Sequence, residues 1–223
     1  MISLSNRVLR IPALLVALGI AAQVAAQAPH THDHSFGDAQ RWAKEFDDPK
    51  RDAWQKPHEV IRALARGPDA LIADIGAGTG YFAARFAHMV PKGRVYGVDT
   101  EPEMVKYLAE RAKREGLGNL TAIAGTSGDP KLPEKVDLVI LVDVYHHVAN
   151  REAYFGRLRD ALRPGGHVAI IDFRMDSPDG PPQAARVAPS RVKAEMKQAG
   201  YALEREHGFL PKQYFLVFRA AGS

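Results

Sequence analysis

The chain has 223 residues, of which 46% are hydrophobic and 25% charged, and it contains no cysteine. This length suits one domain, and the apolar fraction supports a packed core, so wholesale disorder is excluded. The lack of cysteine excludes disulfides, thiolate metal sites and a cysteine nucleophile. The net charge of +4 is small and spread along the chain, which argues against a nucleic-acid partner.

The first 26 residues are typical of a secretory signal peptide. Arg7 and Arg10 precede an apolar run over residues 11–22, and Val24-Ala25-Ala26 forms a small-residue cleavage site. The alternative is an uncleaved membrane anchor, for which this apolar run is short. We therefore expect a periplasmic or secreted protein without stable membrane association after cleavage, or a cytoplasmic one if the signal is not used.

Residues 27–58 are predicted to form a polar leader followed by a helical lid. The leader carries alternating histidines that are weak candidates for a divalent metal, although a solvated leader is the favoured interpretation; they are His30, His32 and His34. Mixed helical spacing of apolar residues predicts a helix over residues 38–54. Trp54, Gln55 and Lys56 follow, and they either fold over a bound ligand or pack ordinarily.

Residues 59–223 are predicted to form one domain in which strands and helices alternate. Strands are expected at residues 70–74, 94–99, 120–124, 136–144, 167–173, 201–207 and 213–219, and helices at residues 59–65, 81–90, 100–115, 150–162 and 190–199. The alternation predicts a Rossmann-like α/β fold, a doubly wound and mostly parallel sheet of seven strands. The last connection is too short for a parallel crossover, so one strand near the C-terminus should run antiparallel.

Two helix starts have predicted caps. Thr100 and Glu103 have the spacing of a capping box, with Pro102 in the first turn. Asn150 is the expected cap of the helix that follows the fourth strand.

The strongest functional signal is the run Asp74-Ile75-Gly76-Ala77-Gly78-Thr79-Gly80, between a predicted strand and a predicted helix. Glycines there allow a tight turn and a close approach of the backbone to a ligand. Asp99 ends the next strand, 19 residues past Gly80, where a carboxylate can accept both hydroxyls of a ribose. The GxGxG spacing, followed by Tyr81, differs from the GxGxxG of dinucleotide folds. The loop therefore suits a nucleoside with an amino-acid tail, which disfavours a nicotinamide oxidoreductase.

These residues resemble class I S-adenosylmethionine (SAM)-dependent methyltransferases. The matching stretches are IADIGAGTGYFAARFA, VYGVDTEPEMV, GDPKLPEKVDLVILVDVYHHV and LRPGGHVAIIDFR, with YALEREH and QYFLVFR as the family's final hairpin. The stretch WAKEFDDPKRDAWQKP, with VYHHV and FLPKQYFLVF, looks like an exported subgroup of type 11/25-like methyltransferases. The resemblance implies that residues 59–223 are a methyltransferase domain with SAM as cofactor and a small-molecule acceptor. The acceptor, the methylated atom and the oligomeric state stay open.

The resemblance also assigns residues to the cofactor, which are Asp74, Gly76, Ala77, Gly78, Gly80, Asp99, Thr100, Met104, Thr126, Asp129 and Asp143. The glycines would line the methionine moiety, Asp74 would hold its amino group and Asp99 the ribose. Thr100 and Met104 would lie beside the adenine. Asp129 would contact the adenine if the loop after the third strand has an insertion, and Thr126 or Ser127 if it has none. Asp143 would face the reactive end of the cofactor.

Methyl transfer needs alignment of donor and acceptor, and sometimes a base. The catalytic prediction is Asp143, Tyr145 and His146, which follow the fourth strand where an acceptor should approach. His146 is the expected base, because the pKa of an imidazole lies near working pH. The alternative is that one of His146 and His147 is packed while the other only hydrogen-bonds a loop. A second hypothesis is an exported, non-catalytic protein that binds SAM or S-adenosylhomocysteine (SAH), because SAM is made in the cytoplasm.

Overall fold

The computed structural model describes residues 38–221. The predicted signal peptide over residues 1–26 and the leader histidines His30, His32 and His34 lie outside this part. The helices are α1 (Ala39–Phe46), α2 (Arg51–Gln55), α3 (Pro57–Ala63), α4 (Tyr81–Met89), α5 (Pro102–Arg114), α6 (Arg151–Leu158) and α7 (Pro189–Gln198). The strands are β1 (Leu71–Ile75), β2 (Arg94–Asp99), β3 (Leu120–Ala124), β4 (Val136–Val142), β5 (Leu162–Phe173), β6 (Tyr201–His207) and β7 (Gln213–Ala220). Within residues 38–221, no helix is long and apolar enough to cross a membrane.

All seven strands form one sheet in the order β3-β2-β1-β4-β5-β7-β6. Strands β1 to β5 pair in parallel, and β7 runs antiparallel to both of its neighbours. This confirms the predicted seven-stranded, mostly parallel Rossmann-like sheet with one antiparallel strand. The strand order reverses between β1 and β4, and parallel sheets bind ligands outside the carboxyl ends of their strands at such a point.

The sheet is covered on both faces, which fixes the positions of its strand ends. Helices α3, α4 and α5 pack on one face, and α6 and α7 pack on the other. Strands β1 and β4 are buried along nearly their whole length, as expected for apolar strands between two helical layers. Burial of each large aliphatic side chain contributes about 1.5–3 kcal/mol, so these two strands form a rigid base for the loops that follow them.

The structure corrects several predicted details. The predicted helix over residues 38–54 is two helices, α1 and α2. Strand β5 begins at Leu162 instead of residue 167, because the turn before the predicted strand joins the sheet through an irregular register with β4. The predicted capping box of Thr100 and Glu103 is wrong, because Glu101 is the N-cap of α5 and its side chain makes no capping hydrogen bond. The N–H of Glu101 donates to the Asp99 carboxylate at 3.0 Å. Asn150 occupies the N-cap of α6, but its side chain makes no capping hydrogen bond.

Candidate functional site

The glycine loop connects β1 to α4 at the carboxyl edge of the sheet. The φ angles of Gly76, Gly78 and Gly80 are +72°, +53° and +90°, a region that L side chains rarely adopt. A Cβ on Gly76 would lie 2.3 Å from a methyl group of Val144, so no larger residue fits there. The N–H of Gly76 donates to the carbonyl of Val98 at 2.8 Å, which fastens the loop to β2. The loop is therefore a fixed turn whose surface carries little side-chain bulk.

Asp99 ends β2, as predicted, and lies against this loop. Its carboxylate accepts the N–H of Gly78 at 2.8 Å and that of Glu101 at 3.0 Å. Burial raises the pKa of Asp99, while hydrogen bonds from Glu101, Gly78 and Thr100 oppose that shift. A carboxylate has about four acceptor positions, so Asp99 keeps capacity for the hydroxyls of a ligand.

The residues predicted near a nucleobase lie around Asp99. Thr100 is exposed, whereas Met104 is buried in α5. Thr126 and Asp129 belong to one short turn after β3, in which the N–H of Thr126 donates to the Asp129 carbonyl at 2.8 Å. The structure thus brings both alternatives for this contact to the same edge of the sheet.

Two acids, the buried Asp74 and the partly buried Asp143, stand at the ends of the central strands β1 and β4. Burial raises the pKa of Asp74 to about 7, although the N–H of Ala83 and the charge of Arg51 oppose this. Burial and the negative charge of Asp172 raise the pKa of Asp143 to about 7 as well. The charges of Arg51 and His146 and the hydrogen bond from Gln213 oppose this shift. Asp143 has a φ of +59°, and its carboxylate accepts a hydrogen bond from the Gln213 amide. Near neutral pH, the ionisation of these two carboxyls therefore changes when a charged group enters the site.

His146 forms a buried pair with Asp172, the penultimate residue of β5. Its Nδ1 lies 2.8 Å from an Asp172 carboxylate oxygen, and its backbone N–H donates to the same oxygen at 3.2 Å. The side chains are only 6% and 2% exposed. Burial works against a charged imidazole, but the hydrogen bond and the charge of Asp172, with the charge of Asp143, hold the pKa of His146 above its usual value. This geometry leaves Nε2 as the nitrogen that can take a proton from a ligand.

Asp172 was not among the predicted site residues, although a signal for it exists. Like Asp143, it stands at the carboxyl end of a strongly apolar strand. The exposed His147 has its ring centroid 4.0 Å from that of His146.

Tyr145 belongs to the core instead of the site, which corrects its prediction as a catalytic residue. Its ring is fully buried and stacks on Phe155 with centroids 5.3 Å apart. Its hydroxyl donates to Glu195 of α7 at 2.8 Å, and Glu195 also pairs with Arg151. Burial and the Glu195 interaction raise the pKa of Tyr145 further above working pH, so it fastens α7 to the turn after β4.

Helix α1 lies over the glycine loop, through contacts of Phe46 and Asp47 that the predicted helical lid did not specify. The Phe46 ring would be 3.4 Å from a Cβ placed on Gly78. Asp47 accepts a hydrogen bond from the Thr79 hydroxyl at 3.2 Å and pairs with Arg111 of α5 at 2.9 Å. The segment before the sheet therefore covers the site.

Helix α2 continues this cover through a chain of polar side chains. The fully buried Gln55 donates to the Gln213 side chain at 2.6 Å, and Gln213 donates in turn to Asp143. Trp54 packs on Phe173 with ring centroids 5.7 Å apart, and Lys56, with φ +47°, joins α2 to α3. Of the three predicted lid residues, Gln55 is the one that joins the hydrogen-bond chain to Asp143.

The chain is similar in sequence to known proteins. The sequence model of a family described as a methyltransferase domain matches residues 68–208. The arsenite methyltransferase of Halobacterium salinarum is 33% identical over 116 residues, which are 51% of this chain and 30% of that protein. The ubiquinone/menaquinone biosynthesis C-methyltransferase UbiE of Shewanella piezotolerans is 26% identical over 117 residues, 51% of this chain and 47% of that protein. The chain thus spans less than half the length of these two relatives.

A solved structure described as a SAM-dependent methyltransferase from Aquifex aeolicus has the same fold. It superposes with a TM-score of 0.75 at 24% identity, over 81% of this chain and 97% of that chain.

Proposed function

The chain belongs to the methyltransferase domain family, and on that premise we propose that it is a SAM-dependent methyltransferase acting on a small-molecule acceptor. The observation that carries this proposal is the His146–Asp172 pair, which stands beside Asp143 at the edge of the sheet that bears the glycine loop. A glycine loop alone would also suit a binding protein. A buried imidazole aimed by a carboxylate is suited to proton transfer.

The residues at this edge fit SAM. The glycines leave room for a close approach, and Asp99 has acceptor positions free for ribose hydroxyls. Asp74 and Asp143 would face the cationic methionine end, and Thr100, Met104, Thr126 and Asp129 would surround the adenine. When bound, SAM supplies a methyl group on a positively charged sulfur, which an aligned nucleophile can take.

The protein's own part is to prepare the acceptor. Asp172 holds the Nδ1–H of His146, so the proton of an acceptor hydroxyl would move to Nε2. The charge of Asp143 then stabilises the imidazolium that forms. Because the pKa of His146 lies above its usual value, its basicity suits an acceptor that ionises only above neutral pH.

We would first titrate the protein calorimetrically with SAM, SAH and NADH, and then follow transfer of labelled methyl groups to a panel of phenols, carboxylates and amines. His146→Ala should lower turnover by about 100-fold or more while the Kd for SAH changes by less than about twofold. Asp172→Asn should lower turnover as well and shift its pH profile, because the aligned tautomer is lost. Exposed His88 in α4 provides the control, His88→Ala, which should match the wild type.

A loss of SAH binding equal to the loss of turnover would show that His146 is structural. Retention of SAH with no transfer to any acceptor would favour the non-catalytic binding protein. Export, proposed from residues 1–26, is tested separately by cell fractionation.

A further inference from the structure

Arg51 is a cation that α2 carries into the site. Its guanidinium carbon lies 4.1 Å from the centroid of the Tyr81 ring, directly after the glycine loop. Its Nη2 is 3.9 Å from the Asp143 carboxylate, and its charge also acts on Asp74. A positive charge therefore stands beside the two acids at the ends of the central strands.

The guanidinium is held in place by three contacts. Its Nε donates to the Gln55 side chain and its Nη1 to the Phe46 carbonyl, each at 2.9 Å, while Tyr81 supports its face. The gap of 3.9 Å between Nη2 and Asp143 is too long for a hydrogen bond. One edge of an ordered arginine thus faces the site with donor capacity to spare, an arrangement suited to a carboxylate.

The charges around the glycine loop complement an α-amino acid. Such a group carries one ammonium and one carboxylate, and the ends of the central strands offer Asp74 and Asp143 with Arg51 beside them. We propose that Arg51 is a specificity residue that binds the α-carboxylate of the methionine end of the cofactor, while Asp74 and Asp143 face its ammonium. This inference rests on the proposed function.

This pairing would also couple the cofactor to the cover of the site. Arg51 belongs to α2, which Gln55 ties to Gln213 and thereby to Asp143. A carboxylate on Arg51 would hold α2, and α1 through the Phe46 carbonyl, against the glycine loop. Both tryptophans of the chain, Trp42 and Trp54, lie on these two helices, so selectively excited tryptophan fluorescence reports on changes around the cover.

A competing arrangement predicts the opposite change in cofactor affinity when Arg51 is removed. Arg51 could fill the position of the ammonium and have to leave when the cofactor binds. Its removal would then strengthen binding, whereas removal of a carboxylate partner weakens it.

The test compares SAH with 5′-methylthioadenosine, which has the same nucleoside and thioether but no amino-acid end. Calorimetric Kd values are measured for the wild type, Arg51→Gln, Arg51→Lys and Lys50→Gln. Arg51→Gln should weaken SAH binding about 10- to 100-fold, the range for a lost charged hydrogen bond, and change 5′-methylthioadenosine binding less than about twofold. The SAH affinity of Arg51→Lys should lie between those of the wild type and Arg51→Gln, because an ammonium keeps the charge but not the planar fork of donors.

Lys50→Gln removes the same charge from an exposed neighbouring position and should match the wild type for both ligands. In the wild type, SAH should change the tryptophan fluorescence more than 5′-methylthioadenosine does, and Arg51→Gln should abolish that difference.

Unchanged or tighter SAH binding by Arg51→Gln would overturn the inference and leave the proposed function intact. An equal loss for both ligands would overturn it too, because Arg51 would then only maintain the fold of the site. Failure of the wild type to bind SAH would overturn both the inference and the proposed function.

Discussion

Replacing Asp143 by Asn should stabilise the protein, and by an amount that depends on pH. The two side chains have nearly the same shape, and Asn tolerates the left-handed backbone at this position, where φ is +59°. The side chain is 23% exposed and contacts Gln213, and the nearby charge of Asp172 disfavours its ionised form. The substitution removes the ionisation without opening a cavity.

The magnitude follows from proton linkage. In the folded protein, burial and Asp172 raise the pKa of Asp143 from 3.8 to about 7. Between these two values the folded state holds a proton that the unfolded state has lost, so stability falls as the pH rises. Each pKa difference of one corresponds to about 1.4 kcal/mol, which amounts to about 4 kcal/mol over the whole window. From pH 5 to pH 8 the loss is about 3 kcal/mol, because titration is complete just above pH 7.

Urea denaturation at pH 5 and pH 8 measures this effect. The stability difference between Asp143→Asn and the wild type should be larger at pH 8 than at pH 5, by up to about 3 kcal/mol. Asp176→Asn is the matched control, because the Asp176 side chain is 82% exposed and its substitution should change little at either pH. An equal difference at the two pH values would refute the reasoning, because Asp143 would then titrate in the folded protein as it does in the unfolded chain.

Two further predictions concern stability. Gly76→Ala should lower the free energy of unfolding in urea by about 2–4 kcal/mol, because its Cβ would overlap Val144 and its φ is +72°. Gly118→Ala is the control, because a Cβ there meets open space, and equal effects of the two substitutions would contradict the packing argument. Tyr214→Phe should leave stability unchanged or raise it by about 1 kcal/mol, because no described residue pairs with its buried hydroxyl; a loss above about 1 kcal/mol would mean that the hydroxyl has a partner.

The sequence by itself determined the fold and the edge at which the site lies. Apolar runs that alternate with helical spacing leave few topologies, and parallel strands bring their carboxyl ends to one edge of the sheet. Asp74, Asp99 and Asp143 could therefore be placed together without coordinates, and the glycines between β1 and α4 could be recognised as a turn that needs positive φ.

Only the tertiary structure decided where side chains point beyond the strand ends. Once a strand stops, its two-residue period no longer sets direction, and the turn after Asp143 sends Tyr145 into the core and His146 toward Asp172. The partners of the site are also far apart in the chain: Gln55 and Gln213 are separated by 158 residues. Such a pair depends on how α2 docks on the finished sheet, which is a property of packed surfaces that no local spacing of residues encodes.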